Sequence, residues 1–300
     1  MRPRTLSTDD MRPWIIPFTR ANLRRLCRVC TTFLALWFFA EFCSPAAWPS
    51  DLQPETVAAF DRYVRATETQ TNREIQDGDF LVIDRMPDAR RLSVQRQVRS
   101  GAVYIEQLHA FEGAHVIPVP GGLIHHWVGL TFIPGVTLAE TLAVLRDYDR
   151  YQDIYEPDVR QSRLLQHDGN EFAVHLQFYK QSIVTVVLNT DLDVSYSQFG
   201  DARSQSVSRS TRIAEVENPG KPDEHEYPVG KDHGYLWRLN SYWRIEEERD
   251  GVYVQIEVIA LTRTVPAIIA WLVNPLLKSI PRSSISRLLQ GTHDAVLKAK

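Results

Sequence analysis

Two adjacent histidines are the first candidates for chemistry in this sequence. His125 and His126 lie in the apolar run from Leu123 to Ile133, which has the length and composition of a β-strand. Neighbouring residues of a strand point to opposite faces, so the two imidazoles cannot readily bind one metal ion. One of them could face an interior pocket as a ligand-binding group or proton carrier, and a structural, hydrogen-bonded histidine is the alternative.

Motifs of known chemistry are absent from the rest of the sequence. There is no HExxH, GxSxG, phosphate-binding loop or dinucleotide fingerprint. His225 and His233, in the loop of residues 217–233, lack the spacing of metal ligands. We therefore assign no catalytic residue, no metal and no cofactor, and whether any reaction is catalysed stays open.

The strand predicted over residues 236–246 carries the most informative polar side chains. One of its faces bears Arg238, Asn240 and Tyr242. If this face is solvated, it is an ordinary sheet exterior. If it lines a pocket, the polar row could bind a carboxylate or phosphate, because arginine can donate two parallel hydrogen bonds to either group. Arg212, on an earlier predicted strand, is a further candidate.

Three tyrosines also suggest a pocket. Tyr148, Tyr151 and Tyr155 follow one another at spacings of three and four residues, so they share one face of a short predicted helix. That face could form the aromatic mouth of a pocket, and core packing is the alternative.

The elements that position these residues begin with a helix at Thr137. Thr137 and Glu140 have the spacing of a capping box, in which each side chain accepts a hydrogen bond from a free backbone amide. Further strands, joined by turn signals, are predicted at 162–167, 171–180, 183–197, 202–216, 234–249 and 252–262. Several exceed the usual strand length, which is typical of strands that bend around something.

The C-terminal region predicts two helical segments. The first, residues 267–273, is apolar nearly all round and is interrupted at Pro275; it could contact a membrane surface or be buried at the end of the sheet. Pro281 opens the final helix, whose apolar face contains Leu288 and should pack on the sheet. Gly291 within this helix costs about 1 kcal/mol relative to alanine, so we expect a packing reason for it.

Residues 48–121 read as an N-terminal extension. Residues 54–74 predict an amphipathic helix that serves as a lid or brace. Two short strands are predicted at 80–83 and 102–105, and the arginine-rich stretch 85–99 between them reads as a solvated connection.

Residues 1–47 have the pattern of an export signal. Arginines precede the apolar run 31–40, and small residues follow it at 44–47, where a signal peptidase could cut. An uncleaved membrane anchor and a buried core helix are the alternatives. A cleaved signal and an uncleaved anchor would both place the body in the periplasm or facing it. All three cysteines, Cys27, Cys30 and Cys43, lie in this leader, so the body contains no disulfide.

Charge argues against one class of partner. The chain has 34 basic and 37 acidic side chains, with no basic stripe along the body. Binding of nucleic acid is driven by neutralisation of phosphates, so we expect no nucleic-acid partner.

The order of elements resembles the helix-grip topology of the START-like superfamily, also called SRPBCC, which includes lipid-transfer domains, polyketide cyclases and pollen-allergen-like proteins. The residues that carry the resemblance are 126–129, 132–135 and Pro281, with segments 210–216 and 234–244 similar to those of exported, uncharacterised bacterial members. The resemblance covers residues 122–299. It implies an α+β fold in which a curved antiparallel sheet of about six to seven strands surrounds a long C-terminal helix.

The resemblance also implies a ligand cavity between the sheet and the terminal helix. We therefore expect residues 1–47 to be a signal peptide or anchor, 48–121 an extension and 122–300 a START-like ligand-binding domain. The expected function is that of an exported binding or transfer protein for a hydrophobic or amphipathic small molecule, lipid-like in character. A cyclase, lyase or hydrolase using the same cavity, or a partner-binding module with a filled cavity, is the alternative. The expected ligand-binding residues are His126, Trp127, Tyr148, Tyr151, Tyr179, Arg212, Trp237, Arg238, Asn240, Tyr242 and Leu288.

Overall fold

A computed structural model describes residues 50–181, 185–264 and 267–300, and for residues 50 and 267–280 it describes the backbone alone. The predicted leader, residues 1–47, lies outside the described residues, as does the start of a predicted strand at 183–184. Within the described part of the chain, no helix is long and apolar enough to cross a membrane.

One antiparallel sheet dominates the structure. Its long strands are β5 (Gly122–Pro134), β6 (Val159–Asp168), β7 (Glu171–Gln181), β8 (Thr185–Phe199), β9 (Arg203–Glu217), β12 (Arg238–Glu248) and β13 (Gly251–Arg263). The short strands are β1 (Ser50–Asp51), β2 (Tyr104–Gln107), β3 (Phe111–Glu112), β4 (His115–Val116), β10 (His225–Glu226) and β11 (Lys231–Asp232). Among the described residues the large sheet runs β2, β5, β13, β12, β9, β8, β7, β6, with β10 paired to β9. The seven long strands are those that the sequence predicts, and β2 and β10 extend the sheet to nine.

The helices are α1 (Pro54–Asp77), α2 (Asp88–Arg99), α3 (Leu138–Leu145), α4 (Tyr151–Ile154) and α5 (Ala267–Ala299), with a 3₁₀ turn at Tyr148–Arg150 before α4. The capping box predicted for α3 is confirmed. Thr137 Oγ1 accepts a hydrogen bond from the Glu140 amide at 3.2 Å, and Glu140 Oε2 accepts one from the Thr137 amide at 2.8 Å.

The C-terminal helix α5 packs on the inner face of the sheet across β5. A Cβ atom on Gly129 of β5 would lie 2.5 Å from Ile285 Cγ2 and 2.8 Å from Leu289 Cδ1. The glycine therefore lets the helix approach the strand closely. Ile285 and Leu289 are buried with Trp127 and Trp243 in the core between helix and sheet. The predicted α+β helix-grip fold is confirmed.

Two details of α5 differ from the sequence-based expectation or complete it. The helix is continuous from Ala267, so the break predicted at Pro275 and the helix start predicted at Pro281 are wrong. A helix can accommodate an internal proline by giving up one backbone hydrogen bond and bending. At Gly291 a Cβ atom would lie 2.7 Å from the carbonyl oxygen of Ile154, which is the packing reason expected for this glycine.

The extension packs on the outer face of the sheet. The helix predicted at 54–74 is α1, and the strand predicted at 102–105 is β2, which pairs with β5. The strand predicted at 80–83 is wrong: this segment is a buried turn, in which the Asp84 carboxylate accepts hydrogen bonds from the Phe80 and Leu81 amides at 2.9 and 2.7 Å.

The arginine-rich stretch 85–99 is not a solvated connection, since most of it forms α2. Val94 and Val98, one helical turn apart, are buried against Leu130 and Tyr253 of the sheet. Two valines among charged residues are too weak an apolar pattern to predict the helix from periodicity. With α1, α2 and the turn on one face and α3, α4 and α5 on the other, the sheet has a core on both sides.

Candidate functional site

A cavity of about 440 Å³ lies between the inner face of the sheet and α5. Its walls come from alternate residues of the long strands, from α4 and from the side of α5 that contains Leu288. Most of the lining is apolar, with Trp127, Leu192, Trp243 and Ile256 among the larger side chains. Small-molecule sites in proteins usually have about 300–1,000 Å³ and this apolar character, so the cavity has the size and lining of a ligand pocket.

Tyrosines form one end of the cavity. The rings of Tyr148 and Tyr151 lie 5.0 Å apart and those of Tyr151 and Tyr155 lie 4.8 Å apart. Tyr151 Oη donates to the Leu145 carbonyl at 2.6 Å, and Tyr148 Oη lies 3.0 Å from Tyr196 Oη. Burial raises the pKa of Tyr148, Tyr151 and Tyr155 well above the ordinary value of a phenol. These tyrosines therefore remain neutral and offer ring faces to a ligand, because their hydroxyl groups are hydrogen-bonded within the protein.

His125 is the imidazole that reaches the cavity. Its Nε2 lies 3.0 Å from Thr262 Oγ1. Burial lowers the pKa of His125 to about 4. The ring is therefore neutral near pH 7 and adds a polar group, without charge, to an apolar wall.

The charged groups of the cavity lie at its rim. Arg287 binds the carboxylate of Asp158 through Nε at 3.0 Å and Nη2 at 2.7 Å. Lys180 Nζ lies 3.7 Å from the same carboxylate and donates to Ser284 Oγ at 3.1 Å. Burial lowers the pKa of Lys180, and the charge of Asp158 counteracts this in part. Two cations thus share one partly buried carboxylate. The exposed Glu156 also lies at the rim.

Five of the predicted site residues lie at the cavity wall. These are Trp127, Tyr148, Tyr151, Tyr179 and Leu288. The other six are not brought to the cavity: His126, Arg212, Trp237, Arg238, Asn240 and Tyr242. Ligand binding by the first five stays a prediction.

The orientation of β12 explains most of this division. Its inward residues are Leu239, Ser241 and Trp243, so the row of Asn240 and Tyr242 faces the extension. Tyr242 Oη donates to Glu68 of α1 at 2.8 Å. The polar row predicted inside the pocket is therefore corrected: it is a buried contact between the sheet and the extension.

The remaining displaced residues have partners elsewhere. Trp237 precedes β12, packs against the extension, and donates through Nε1 to Asp232 at 3.0 Å. Arg238 donates to the Trp237 carbonyl at 2.9 Å, and Arg212 forms an exposed ion pair with Glu226.

His126 belongs to a buried polar chain on the outer face. Its Nδ1 lies 3.0 Å from Tyr63 Oη of α1, and its Nε2 lies 2.8 Å from Glu257 Oε1. Arg244 Nη2 donates to Glu257 Oε2 at 2.8 Å. Burial acts to raise the pKa of Glu257, but the hydrogen bond with His126 and the charge of Arg244 outweigh it, so this pKa lies below its ordinary value. The chain of four residues joins the extension to the sheet.

Sequence reasoning missed the rim residues Asp158, Lys180 and Arg287. Lys180 ends a predicted strand and Arg287 adjoins Leu288 on the final helix, so both positions lie beside predicted cavity residues. The signal available was a charge directly beside a predicted cavity residue on an otherwise amphipathic element. The apolar side chains of the predicted helix at 54–74 were a signal of another kind, because they need a face of the sheet to pack against.

The sheet, the terminal helix laid across it and the cavity between them are now all described. The chain has the START-like helix-grip fold. No protein-family model matches the chain, and no curated protein matches it.

Solved structures similar to the chain include a STAR-related lipid transfer protein, human STARD10 and an aromatase/cyclase. The STAR-related lipid transfer protein from Xanthomonas axonopodis is 17% identical over 63% of this chain and 98% of its own, with a TM-score of 0.42. Human STARD10 is 13% identical over 71% of this chain and 81% of its own, with a TM-score of 0.39. The Zhui aromatase/cyclase from Streptomyces sp. R1128 is 14% identical over 59% of this chain and 97% of its own, with a TM-score of 0.35. These likenesses are too distant to carry an argument about function.

Proposed function

We propose that the protein is an exported binding or transfer protein for a hydrophobic or amphipathic small molecule, lipid-like in character, held between the sheet and α5. The observation that carries the proposal is the apolar cavity of about 440 Å³. Protein interiors are otherwise close-packed, and an apolar void of this size is an unfavourable place for water. Binding of an apolar ligand in this void would therefore be favourable in free energy.

The size of the cavity limits the ligand. Its volume lies in the lower half of the range for small-molecule sites. We therefore expect a single-chain amphiphile or a compact polycyclic molecule rather than a lipid with two long chains.

The rim supports an anionic head on that ligand. Lys180 and Arg287 share the carboxylate of Asp158, and Arg160 stacks on the ring of Tyr179 with its Cζ 3.4 Å from the ring centre. A carboxylate or phosphate at this rim would accept charge-assisted hydrogen bonds, while its apolar tail extends toward the tyrosines.

An enzyme that uses the same cavity has less support. Among the described residues lining the cavity, His125 has a pKa of about 4 and the buried tyrosines have raised pKa values, so neither type is suited to exchange protons near pH 7. Away from the rim, the lining therefore favours binding over acid–base chemistry.

Native mass spectrometry of the purified chain is the first test. We expect one molecule of co-purified amphiphile per chain. After its removal, isothermal titration should show binding of dodecanoic acid. Chain that carries no amphiphile and fails to bind either dodecanoic acid or dodecanol would overturn the proposal.

Cavity filling separates this site from nonspecific binding. Ser241 faces the cavity, so Ser241→Phe should lower the affinity for dodecanoic acid at least tenfold. Ser197, an exposed serine at the end of β8, provides the matched control Ser197→Phe, which should bind like the unmodified chain. Equal affinities for all three proteins would place the ligand elsewhere.

The choice of head group is tested at the rim. The double variant Lys180→Gln/Arg287→Gln should weaken the binding of dodecanoic acid more than the binding of dodecanol, since only the acid carries a charge. Equal weakening of both would remove the anionic head from the proposal and leave the apolar cavity.

Export and membrane contact have their support in the sequence. The pattern of residues 1–47 supports export, and N-terminal sequencing of the protein from a periplasmic fraction should find a start near residue 47. The apolar segment 267–273 is helical in backbone, and its side chains lie outside the described residues. Transfer of a fluorescent fatty acid between two vesicle populations would distinguish a transfer protein from one that only stores its ligand.

A further inference from the structure

A second concave site lies on the outer face of the sheet, away from the apolar cavity. It is a cleft of about 640 Å³ between α1 and residues 108–111, which lead into β3. Its lining contains buried His126 and Glu257 from the sheet. His126 and Trp127 are neighbours on β5 that face opposite ways, so the sheet itself separates the cleft from the cavity.

The carboxylates of the cleft already have cationic partners. Glu74 forms an ion pair with Arg85 and also accepts a hydrogen bond from Gln70 at 2.9 Å. Glu257 is paired with Arg244 and bonded to His126. Neither carboxylate is left to neutralise other cations.

Three arginines of the cleft, unlike its carboxylates, have no oppositely charged partner among the described residues. Arg62, Arg65 and Arg73 line it from α1, and none of them forms an ion pair or side-chain hydrogen bond with any described residue. The excess charge in the cleft is therefore positive and comes from three guanidinium groups on one side of a single helix.

The helix that carries these arginines is held in place from below. Phe60, Tyr63 and Val64 of α1 are buried against the sheet, and Tyr63 Oη accepts a hydrogen bond from the Ala110 amide at 2.8 Å. The Ala110 contact also fixes the opposite wall of the cleft. A fixed concave surface with unneutralised guanidinium groups concentrates anions and offers paired donors to phosphate or carboxylate oxygens.

We propose that this cleft is a second binding site, for the phosphate or clustered carboxylate groups of a compact polyanion. The anion can come from a soluble molecule or from a lipid headgroup. Phe111 at the edge of the cleft is 57% exposed, and it would contact the lipid in the second case. The site is independent of the ligand in the apolar cavity.

Titration of the full chain with inorganic pyrophosphate at low salt tests the site. The variant Arg62→Gln/Arg65→Gln/Arg73→Gln should weaken binding at least tenfold. These side chains are exposed, so the variant should fold, which circular dichroism would verify. The matched control is Arg96→Gln/Arg150→Gln/Arg163→Gln, which removes the same charge from exposed arginines outside the cleft and should change affinity less than twofold.

Flotation with vesicles distinguishes the two sources of the anion. Vesicles of phosphatidylcholine with phosphatidylglycerol would carry the unmodified chain and the control, but not the cleft variant, if the anion is a headgroup. Binding of pyrophosphate without flotation would identify a soluble ligand. If the unmodified chain binds neither probe, or if both triple variants lose binding equally, the proposal is overturned and the arginines are a solvated helix face.

Discussion

The two faces of the central strands differ in what they do with polar groups. On the inner face, Trp127 and Val258 border an apolar cavity. On the outer face, their immediate neighbours His126 and Glu257 are buried, charged or polar, and hydrogen-bonded to each other and to the extension. At these positions the inner face is apolar and borders the cavity, and the outer face holds polar groups that are hydrogen-bonded to one another.

This difference shows why polar residues in a strand are poor guides to a ligand site. The polar series of β12 satisfies donors and acceptors between two packed layers, and an unpaired buried charge there would be costly. The cavity instead uses the apolar residues between them, and its charges come from the segment before β6, from the end of β7 and from α5. The cavity wall and the attachment of the extension thus use alternate residues of the same strands.

The largest expected effect is at Arg244, whose side chain is 1% exposed and paired with Glu257. Arg244→Met leaves Glu257 buried without its cation, and we expect the free energy of unfolding to fall by about 3–5 kcal/mol in urea titrations. Arg212→Met, at the exposed pair with Glu226, should cost less than about 1 kcal/mol. An Arg244 variant that keeps its stability but no longer binds dodecanoic acid would contradict this division between the two faces, because it would connect the polar groups of the outer face to the cavity.

A second substitution sharpens this result. If the loss comes from the stranded carboxylate, Arg244→Met/Glu257→Met should be more stable than Arg244→Met alone, since replacing both members of a buried ion pair removes the uncompensated charge. A double variant less stable than either single one would instead indicate loss of packing.

Much of the fold could be predicted from the sequence because its signals are local. The capping box at Thr137 and the alternating strands joined by turns each determine structure within a few residues. The errors occur where tertiary packing outweighs the local pattern. Residues 80–83 are apolar because a turn is buried there. At Pro275 and Pro281 the local signal of a helix break is overridden, since α5 runs through both positions.

The site was harder to predict because period-two alternation does not say which face is the inner one. The two faces of β12 are both compatible with a pocket until the position of α1 is known. The spacing of Tyr148 and Tyr151 predicts that they share one helical face, and the resemblance implies the cavity that this face borders. Lys180 and Arg287 come from distant parts of the chain, and only the folded structure brings them to the same rim.

The next largest effect is expected on the inner side, at Gly291 of α5. Alanine is the better helix former by about 1 kcal/mol, yet its Cβ would lie 2.7 Å from the backbone oxygen of Ile154. We expect Gly291→Ala to lower the free energy of unfolding by about 1–3 kcal/mol, as overpacking usually does. Gln290→Ala, exposed on the same helix, is the control and should change stability by less than about 0.5 kcal/mol. A stabilised Gly291 variant would show that α4 can move away from the helix.

A smaller effect depends on pH and concerns His125 in the cavity wall. Burial lowers the pKa of this histidine from 6.5 to about 4, so on acidification the unfolded chain takes up its proton first. Its contribution to stability is therefore complete above the unfolded pKa and is lost as the pH falls toward the folded one. At about pH 5.5 the stability lost in this way is about 1 kcal/mol. His125→Gln should lose less stability between pH 7 and about pH 5.5 than the unmodified chain, whereas His115→Gln, at an exposed site, should not differ from it.

The smallest effect on stability is expected at the rim, where Arg287 and Lys180 share Asp158. The pair of Arg287 and Asp158 is partly solvated, with side-chain exposures of 44% and 23%. Arg287→Gln should therefore change the free energy of unfolding by less than about 1 kcal/mol, in contrast to the buried pair on the outer face. If the proposed function holds, the effect of Arg287→Gln should instead be found in the affinity for dodecanoic acid. Arg163→Gln, exposed and outside the cavity, should change neither quantity. A loss of stability at Arg287 as large as that at Arg244 would mean that the rim, like the outer face, is built to hold the protein together.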